Sequence, residues 1–398
     1  ERKDINTGNP ISSFFKTGVT AIHSLTFSTG NERTQTYFSY ANTEGKGIME
    51  THRLSKHNMN LRESATFYDG LLKIDGSVNL LKQTVKNRPV PGGFYMNPLV
   101  GLYRFPRGMD ITEYKNHFEV WNEERRLNVQ NWHAPTEDFE QNPYWVLERI
   151  KGQEQRTRVV ASIAMRLILS AHFSLQARGS VDYLNDKFRQ KYYASTAPAL
   201  AGSNGRYIDA SHEQTLTYGD VLGTYKRKFE NFSLDISLGA SINNNKTNEL
   251  RYDSKTASLK YANVFNIANI NMTTSAYIAE QIDATRQMQS LFATAQLGFR
   301  EYLFLDISAR NDWSSTLAYT SRESTGFFYP SVGFSWLIDR TFSLPEWITG
   351  GKIRGAWSMV GNDIPLYITH PVSHVLAGGG IQASDAAPFE EMKPEKNV

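Results

Sequence analysis

The chain has 398 residues, 40% hydrophobic and 21% charged, which excludes disorder by composition. Lys and Arg number 43 against 40 Asp and Glu, and this formal +3 is too even for a binder driven by phosphate neutralisation. Without cysteine there are no disulfides, Cys-ligated zinc sites or Cys nucleophiles, and no apolar run approaches the ~20 residues of a membrane helix. Helical spans are therefore excluded, while strand-built spans are not.

The start, Glu1-Arg2-Lys3-Asp4, has no apolar signal region. The end, Pro394-Glu395-Lys396-Asn397-Val398, is charged and not a finished strand. Both ends suggest an internal portion of a longer chain. Between them, period-two alternation dominates. Strands are predicted at 19–29, 34–43, 52–68 and 71–86. In the fourth, Leu72, Ile74, Gly76, Val78 and Leu80 oppose Lys73, Asp75, Ser77 and Asn79.

Residues 87–155 follow as a connection too long to be ordinary. This stretch is rich in Pro and aromatics, among them Trp121, Trp132, Tyr144 and Trp145. Asp110 to Leu127 is polar and free of proline, and reads as a short helix. Strands resume at 156–169, 172–191, 213–228, 232–249, 281–299, 302–313, 327–339 and 351–362. The cleanest runs from Phe232 to Ile242, with Phe232, Leu234, Ile236, Leu238, Ala240 and Ile242 on one face. Ser233, Asp235, Ser237, Gly239 and Ser241 form the other.

A soluble sandwich gives the same alternation. Two further features favour a membrane barrel. The strands often exceed the ~9–11 residues that cross a bilayer. The connections also alternate between tight turns (30–33, 69–70, 170–171, 229–231, 300–301) and longer loops (44–51, 87–155, 192–212, 250–280, 314–326), with 340–350 intermediate. That is the pattern of an outer-membrane barrel with periplasmic turns and extracellular loops. The fold expected is all-β, an antiparallel transmembrane β-barrel over 1–398, with 87–155 as a long extracellular loop region.

Several stretches then resemble the SusC/RagA-like TonB-dependent outer-membrane transporters. They are Phe14-Phe15-Lys16-Thr17-Gly18, Ser24 to Glu32, Tyr37-Phe38-Ser39-Tyr40 and Gly45-Lys46-Gly47-Ile48, similar to the start of that family's barrel region. Pro106 to Ile111 and Asn142-Pro143-Tyr144-Trp145 resemble landmarks of its long loop. Arg310-Asn311-Asp312-Trp313-Ser314-Ser315 resembles its Arg-x-Asp-x-Ser-Ser motif, followed by Phe328 to Val332, Phe334-Ser335-Trp336, Lys352-Ile353-Arg354, Gly361-Asn362 and Met392 to Lys396. Gly355 to Met359 departs from the commoner run but keeps strand character.

The resemblance implies about half of a large twenty-two-stranded barrel, with the plug domain and TonB box outside this sequence. It implies active import of an oligosaccharide or peptide with a SusD-like lipoprotein lid, coupled to TonB through a missing N-terminal segment. The setting would be the Gram-negative, Bacteroidetes-type outer membrane, in contact with its lipid. No enzyme activity, cofactor, metal or nucleic-acid partner is expected. The alternatives are a soluble all-β glycan-binding or glycan-hydrolysing protein, and a passive porin-like barrel.

Candidate site residues fall in two groups. Asp75, Arg166, Arg178, Asp182, Asp235, Asp306, Arg310 and Asp312 are expected to face the lumen. They would serve the substrate path or, more simply, act as salt bridges holding the wall and plug. Trp121, Trp132, Tyr144 and Trp145 would bind substrate or lid, or only pack the loop. Tyr302, Phe304, Phe327, Phe328 and Tyr329 read as a membrane-interface girdle. His370 and His374 have i, i+4 spacing, but Pro371 and Gly378-Gly379-Gly380 argue against a helix there. Asp306 and Asp312 share a face, but nothing equips them as a hydrolytic pair.

Overall fold

The computed structural model describes residues 10–90, 95–134, 140–274, 276–320, 323–342, 344–345, 347–369, 372–375, 380–384 and 387. The short helix α1 (Pro10–Phe14) precedes strands β1 (Val19–Gly30), β2 (Thr34–Lys46), β3 (Arg53–Phe67) and β4 (Leu72–Lys86). An insertion then carries α2 (Pro98–Arg104), α3 (Ile111–Asn116), the hairpin β5 (Glu119–Asn122) and β6 (Leu127–Gln130), and α4 (Pro143–Arg149). The wall resumes with β7 (Ile150–Ile168), β8 (Phe173–Tyr192), β9 (Arg206–Lys228), β10 (Phe232–Asp253), β11 (Ile278–Phe299), β12 (Leu303–Ser314), β13 (Phe327–Leu337) and β14 (Lys352–Ser358). A two-residue pairing, β15 (His374–Val375) with β16 (Ile381–Gln382), ends the described elements.

The wall is one twelve-stranded antiparallel sheet in which each strand pairs with its neighbour in the chain, once the insertion is passed over. The sheet does not close on itself: β1 and β14 are its edges. All twelve predicted wall strands are present. β7, β9 and β10 run further toward the long loops than periodicity suggests, starting at Ile150 and Arg206 and ending at Asp253. In β7 the added residues Lys151 to Gln155 are all polar or Gly, so alternation fades while the ladder continues. Residues 150–155 accordingly belong to β7 rather than to the loop.

One side of the wall is apolar and exposed. Leu25, Phe27, Leu61, Ile163, Leu238 and Leu291 lie on it, with Leu238 62% accessible. Such a face is stable against lipid, where the ladders between β1 and β14 satisfy the backbone of the strands they join. The apolar band also slides along the register. The row Phe27–Phe38–Leu61–Val78–Ala161–Val181 continues as Thr217–Asn244–Gln287, while apolar side chains resume lower on β10 at Leu238 and Ile236. This is the stagger of strands tilted against a barrel axis. The turn between β3 and β4 needs Gly70, whose φ of +93° suits no side chain.

Buried side chains gather at the long-loop end. Phe14, Leu102, Phe105, Ile111, Trp132, Tyr144 and Leu147 form one cluster. Val146, Ile150, Tyr192, Ala201 and Ile208 form another. The expected helix over Asp110–Leu127 is confined to α3, capped by Asp110, whose carboxylate accepts from the Thr112 N–H at 2.8 Å. After Asn116 the alternation of Val120 and Trp121 against Asn128 and Val129 favours a hairpin instead. The girdle reading is also corrected. Phe328 does share the lipid face, opposite Asn311, but Phe327 and Tyr329 stand opposite Asp312 and Arg310 on the polar face. Phe304, opposite Gly298 and Ser335, is on the polar face too.

Candidate functional site

Register carries every sequence-selected charge onto the polar face. Asp75 stands opposite Ala164, which faces Arg178, and the row continues through Asp220, Ser241 and Ser290 to Asp312. Arg166 and Arg310 lie in the adjacent row, linked through Gln176, Leu222, Gly239 and Phe292. Asp235 and Asp306 both face Gln296, and Asp182 lies further up β8. This face is the concave one. Tyr37, Asn60, Arg62, Asp75 and Ser162 line one trough of it, and Arg166, Gln176, Asp235, Asp306 and Ser331 another.

Most of these charges are neutralised within the wall. Arg178 Nε donates to Asp220, a fully buried carboxylate, at 2.9 Å. Arg158 Nε donates to Asp182 at 2.8 Å, and Asp235 pairs with Lys226. Arg310 donates to Asp312 at 2.6 Å and to Ser290 at 2.9 Å. Asp306 accepts from Gln296 at 2.7 Å, and Asp75 accepts from Ser64 at 2.7 Å with Lys73 at 3.7 Å. Arg166 is exposed and makes no ion pair among the described residues. Phe292 lies against Gly239, where a Cβ would meet its ring at 2.5 Å, and Arg310 covers that ring.

The insertion folds over this polar face. Val146 of α4 packs with Ile150, Tyr192 and Ile208, all on the concave side of β7–β9. Both α2 and α4 begin with Asn-Pro: Asn97 and Asn142 accept from the N–H groups of Leu99 and Tyr144, and proline at the first helical position has no donor to lose. Asn142 is wholly buried and also donates to the carbonyls of Tyr114 and Asn131, fastening the hairpin to α4. Gln130, Gln141 and Trp145 bind Ser195, Ala197 and Thr196, which joins the insertion to the β8–β9 loop.

Of the four aromatic candidates, three are interior. Trp132 is 6%, Tyr144 7% and Trp145 1% accessible, while Trp121 at the hairpin is 55% accessible. Trp132 stacks among Phe105, Tyr114 and His133, and its Nε1 donates to the buried Glu140 at 3.1 Å. Arg104 pairs with the same carboxylate, and His133 lies 3.4 Å from it. Burial holds the His133 imidazole below its usual pKa. In this arrangement the three buried rings support the loop, and Trp121 is the one that presents a face.

A second strap closes from the other side. Asp363 accepts from Ser314 at 2.9 Å and from Thr316 at 2.6 Å, and Ile364 packs on Leu317 and the concave-side Phe327. The Arg310–Ser315 stretch therefore anchors both an ion pair and this strap. Asp363 carries no signal of its own in the sequence, since its partners lie far along the chain. His370 and the Met392–Lys396 stretch lie outside the described residues; His374 opens β15.

The family model described as TonB dependent receptor-like, beta-barrel matches residues 100–396. No curated protein sequence matches the chain. Among solved structures, the RagAB peptide transporter is similar at 17% identity with a TM-score of 0.74, over 98% of this chain and 42% of that one. The outer membrane transporter YddB from Escherichia coli is similar at 10% identity with a TM-score of 0.52, over 87% and 39%. These likenesses are of fold, and this chain spans less than half the length of either of these two structures. The soluble all-β alternative is set aside, because the matched family is an outer-membrane one of transporters and receptors and not a family of enzymes. The chain belongs to the TonB-dependent receptor-like β-barrel family.

Proposed function

We propose that this chain forms part of the wall and mouth of an active outer-membrane importer. The observation that carries the reading is the polar face, continuous across the twelve strands and roofed at one end by residues 95–134 and 140–149. A passive pore has no need of such a roof, and the family supplies the coupling to TonB. The cargo class is an oligosaccharide or a peptide. Likeness to the RagAB peptide transporter favours a peptide by analogy alone. A SusD-like lipoprotein lid would seat on the exposed rim, where Trp121, Val120, Tyr103 and Tyr261 are exposed. A Bacteroidetes-type outer membrane is the setting in which such a pair works. The lumen charges act chiefly as wall braces, while Arg166, exposed and without an ion pair among the described residues, is the one available to cargo or plug.

The test is Trp121→Ala in the full-length protein. Growth on the cognate nutrient and recovery of the lid in a pull-down should fall several-fold, with barrel abundance unchanged. Normal growth and normal lid recovery would remove Trp121 from the interface.

A further inference from the structure

The lipid-facing side carries a group of cations that make no ion pair among the described residues. Lys46, Arg53 and Lys86 stand directly opposite one another on β2, β3 and β4. Each is an even number of residues from Phe38, Leu61 or Val78, and so shares their face. Lys82 lies lower on β4, in the row just above Leu80. All four are exposed, and none has an ion-pair partner among the described residues. Arg53 donates one Nη1 bond to the His52 carbonyl at 2.9 Å. One nearby acid shares this face, Glu44, which accepts from Ser55 and Asn42 and makes no ion pair among the described residues, so the four cations outnumber it.

Like charges directly across a strand pair repel. On the concave side the same sheet removes that cost with an acid directly opposite Arg156 and Arg178 and another diagonally across from Arg158. On the lipid side it leaves three cations abreast. Their height matters. Leu72 to Leu80 is nine residues of tilted strand, at the lower end of the ~9–11 that cross a bilayer. Lys82 therefore begins the headgroup layer, and Lys46, Arg53 and Lys86 stand above it at the long-loop end, which faces outward in this family. Thr84, opposite Ser55 between the two levels, adds a hydroxyl.

We propose that Lys46, Arg53, Lys82 and Lys86 form a binding site for the phosphate groups of a phosphorylated glycolipid in the outer leaflet. The acyl chains of that lipid lie along Leu80, Val78 and Leu61. Charge complementarity and continuity with the apolar band select a lipid-borne phosphate, since a free anion would have no reason to sit beside that band. The site is independent of what the barrel imports.

Full-length protein extracted in mild detergent, with bound glycolipid counted by native mass spectrometry, tests the assignment. The triple variant Lys46→Gln, Arg53→Gln, Lys86→Gln should lose affinity by about five-fold for each cation removed. Lys56→Gln, on the concave face, should retain the lipid. Equal retention in all three proteins would overturn the site. Should the triple variant fail to assemble, wild-type protein in vesicles decides. Its unfolding temperature should be higher with the phosphorylated glycolipid than with the same lipid dephosphorylated, and equal temperatures would overturn the proposal. Equal stabilisation in detergent by inorganic phosphate would assign the site to a free anion and overturn the lipid reading.

Discussion

The wall and the insertion use the same apolar side chains under opposite rules. In β10 the apolar residues point outward, and Leu238 is largely bare. In the insertion, Trp145 is 1% accessible and held by Thr196. The wall gains from a face kept against lipid and from ladders that pair the backbone of each interior strand on both sides. The insertion sits in water and must build a buried core of its own, which it does with Phe105, Ile111, Trp132, Tyr144 and Leu147. Sequence hydrophobicity alone does not separate the two. Spacing does, because alternation with period two cannot close a core on one strand, while the irregular spacing of 95–149 can.

The largest effect expected from that contrast is at Trp145. Trp145→Ala empties a filled interior and removes the bond to Thr196, at a cost of about 3–5 kcal/mol to the insertion. Hydrogen exchange should rise over 95–149 and 193–205, while the heat resistance of the wall stays as it was. A drop in wall stability of the same size would show that insertion and wall are one cooperative unit.

The wall responds to a different change. Leu238→Arg places a charge near the middle of the apolar band, costing ~2–4 kcal/mol of barrel stability. Asp235→Asn, on the concave side, gives up only the exposed pair with Lys226, a loss of about 1 kcal/mol or less. Unfolding of the two full-length variants in detergent or vesicles should therefore differ clearly. Equal behaviour would invert the assignment of faces.

How far each region was legible follows from the same physics. All twelve wall strands could be read from alternation and turn spacing, because a lipid-facing sheet repeats one local rule. The polar-face charges were legible with them, since parity decides the face. Their cross-strand partners were not: Arg178 meets Asp220, and Arg310 meets Ser290, only through register, whereas Arg310 and Asp312 are two residues apart on one strand. The insertion was legible as an anomaly of length. Its interior was not, because an exposed binding tryptophan and a buried packing tryptophan look alike in sequence. Asn97-Pro98 and Asn142-Pro143 were the missed signal, each a cap followed by a first-turn proline.

The smallest expected effect is a pH dependence confined to the insertion. His133 lies against Trp132 and Phe105, and burial lowers its pKa in the folded state. Glu140 pulls the value upward and Arg104 pushes it down, and both are weaker than burial. Unfolded, the ring titrates near its ordinary value of 6.5. The folded insertion thus binds fewer protons than the unfolded one, so its stability falls as pH drops. Above pH 6.5 nothing is lost, and below it the loss grows until the folded ring itself protonates. The nearby His52, also lowered by burial, acts in the same direction from the 47–52 loop. The contribution of His133 is therefore the difference between wild type and His133→Gln. Hydrogen exchange over 95–134 should accelerate between pH 7.5 and 5.5 in the wild type and change less in the variant. The wall, whose apolar face carries no such group at mid-band, should be level across the same range. An equal pH response in both proteins would leave the Trp132–Glu140 cluster with a packing role alone.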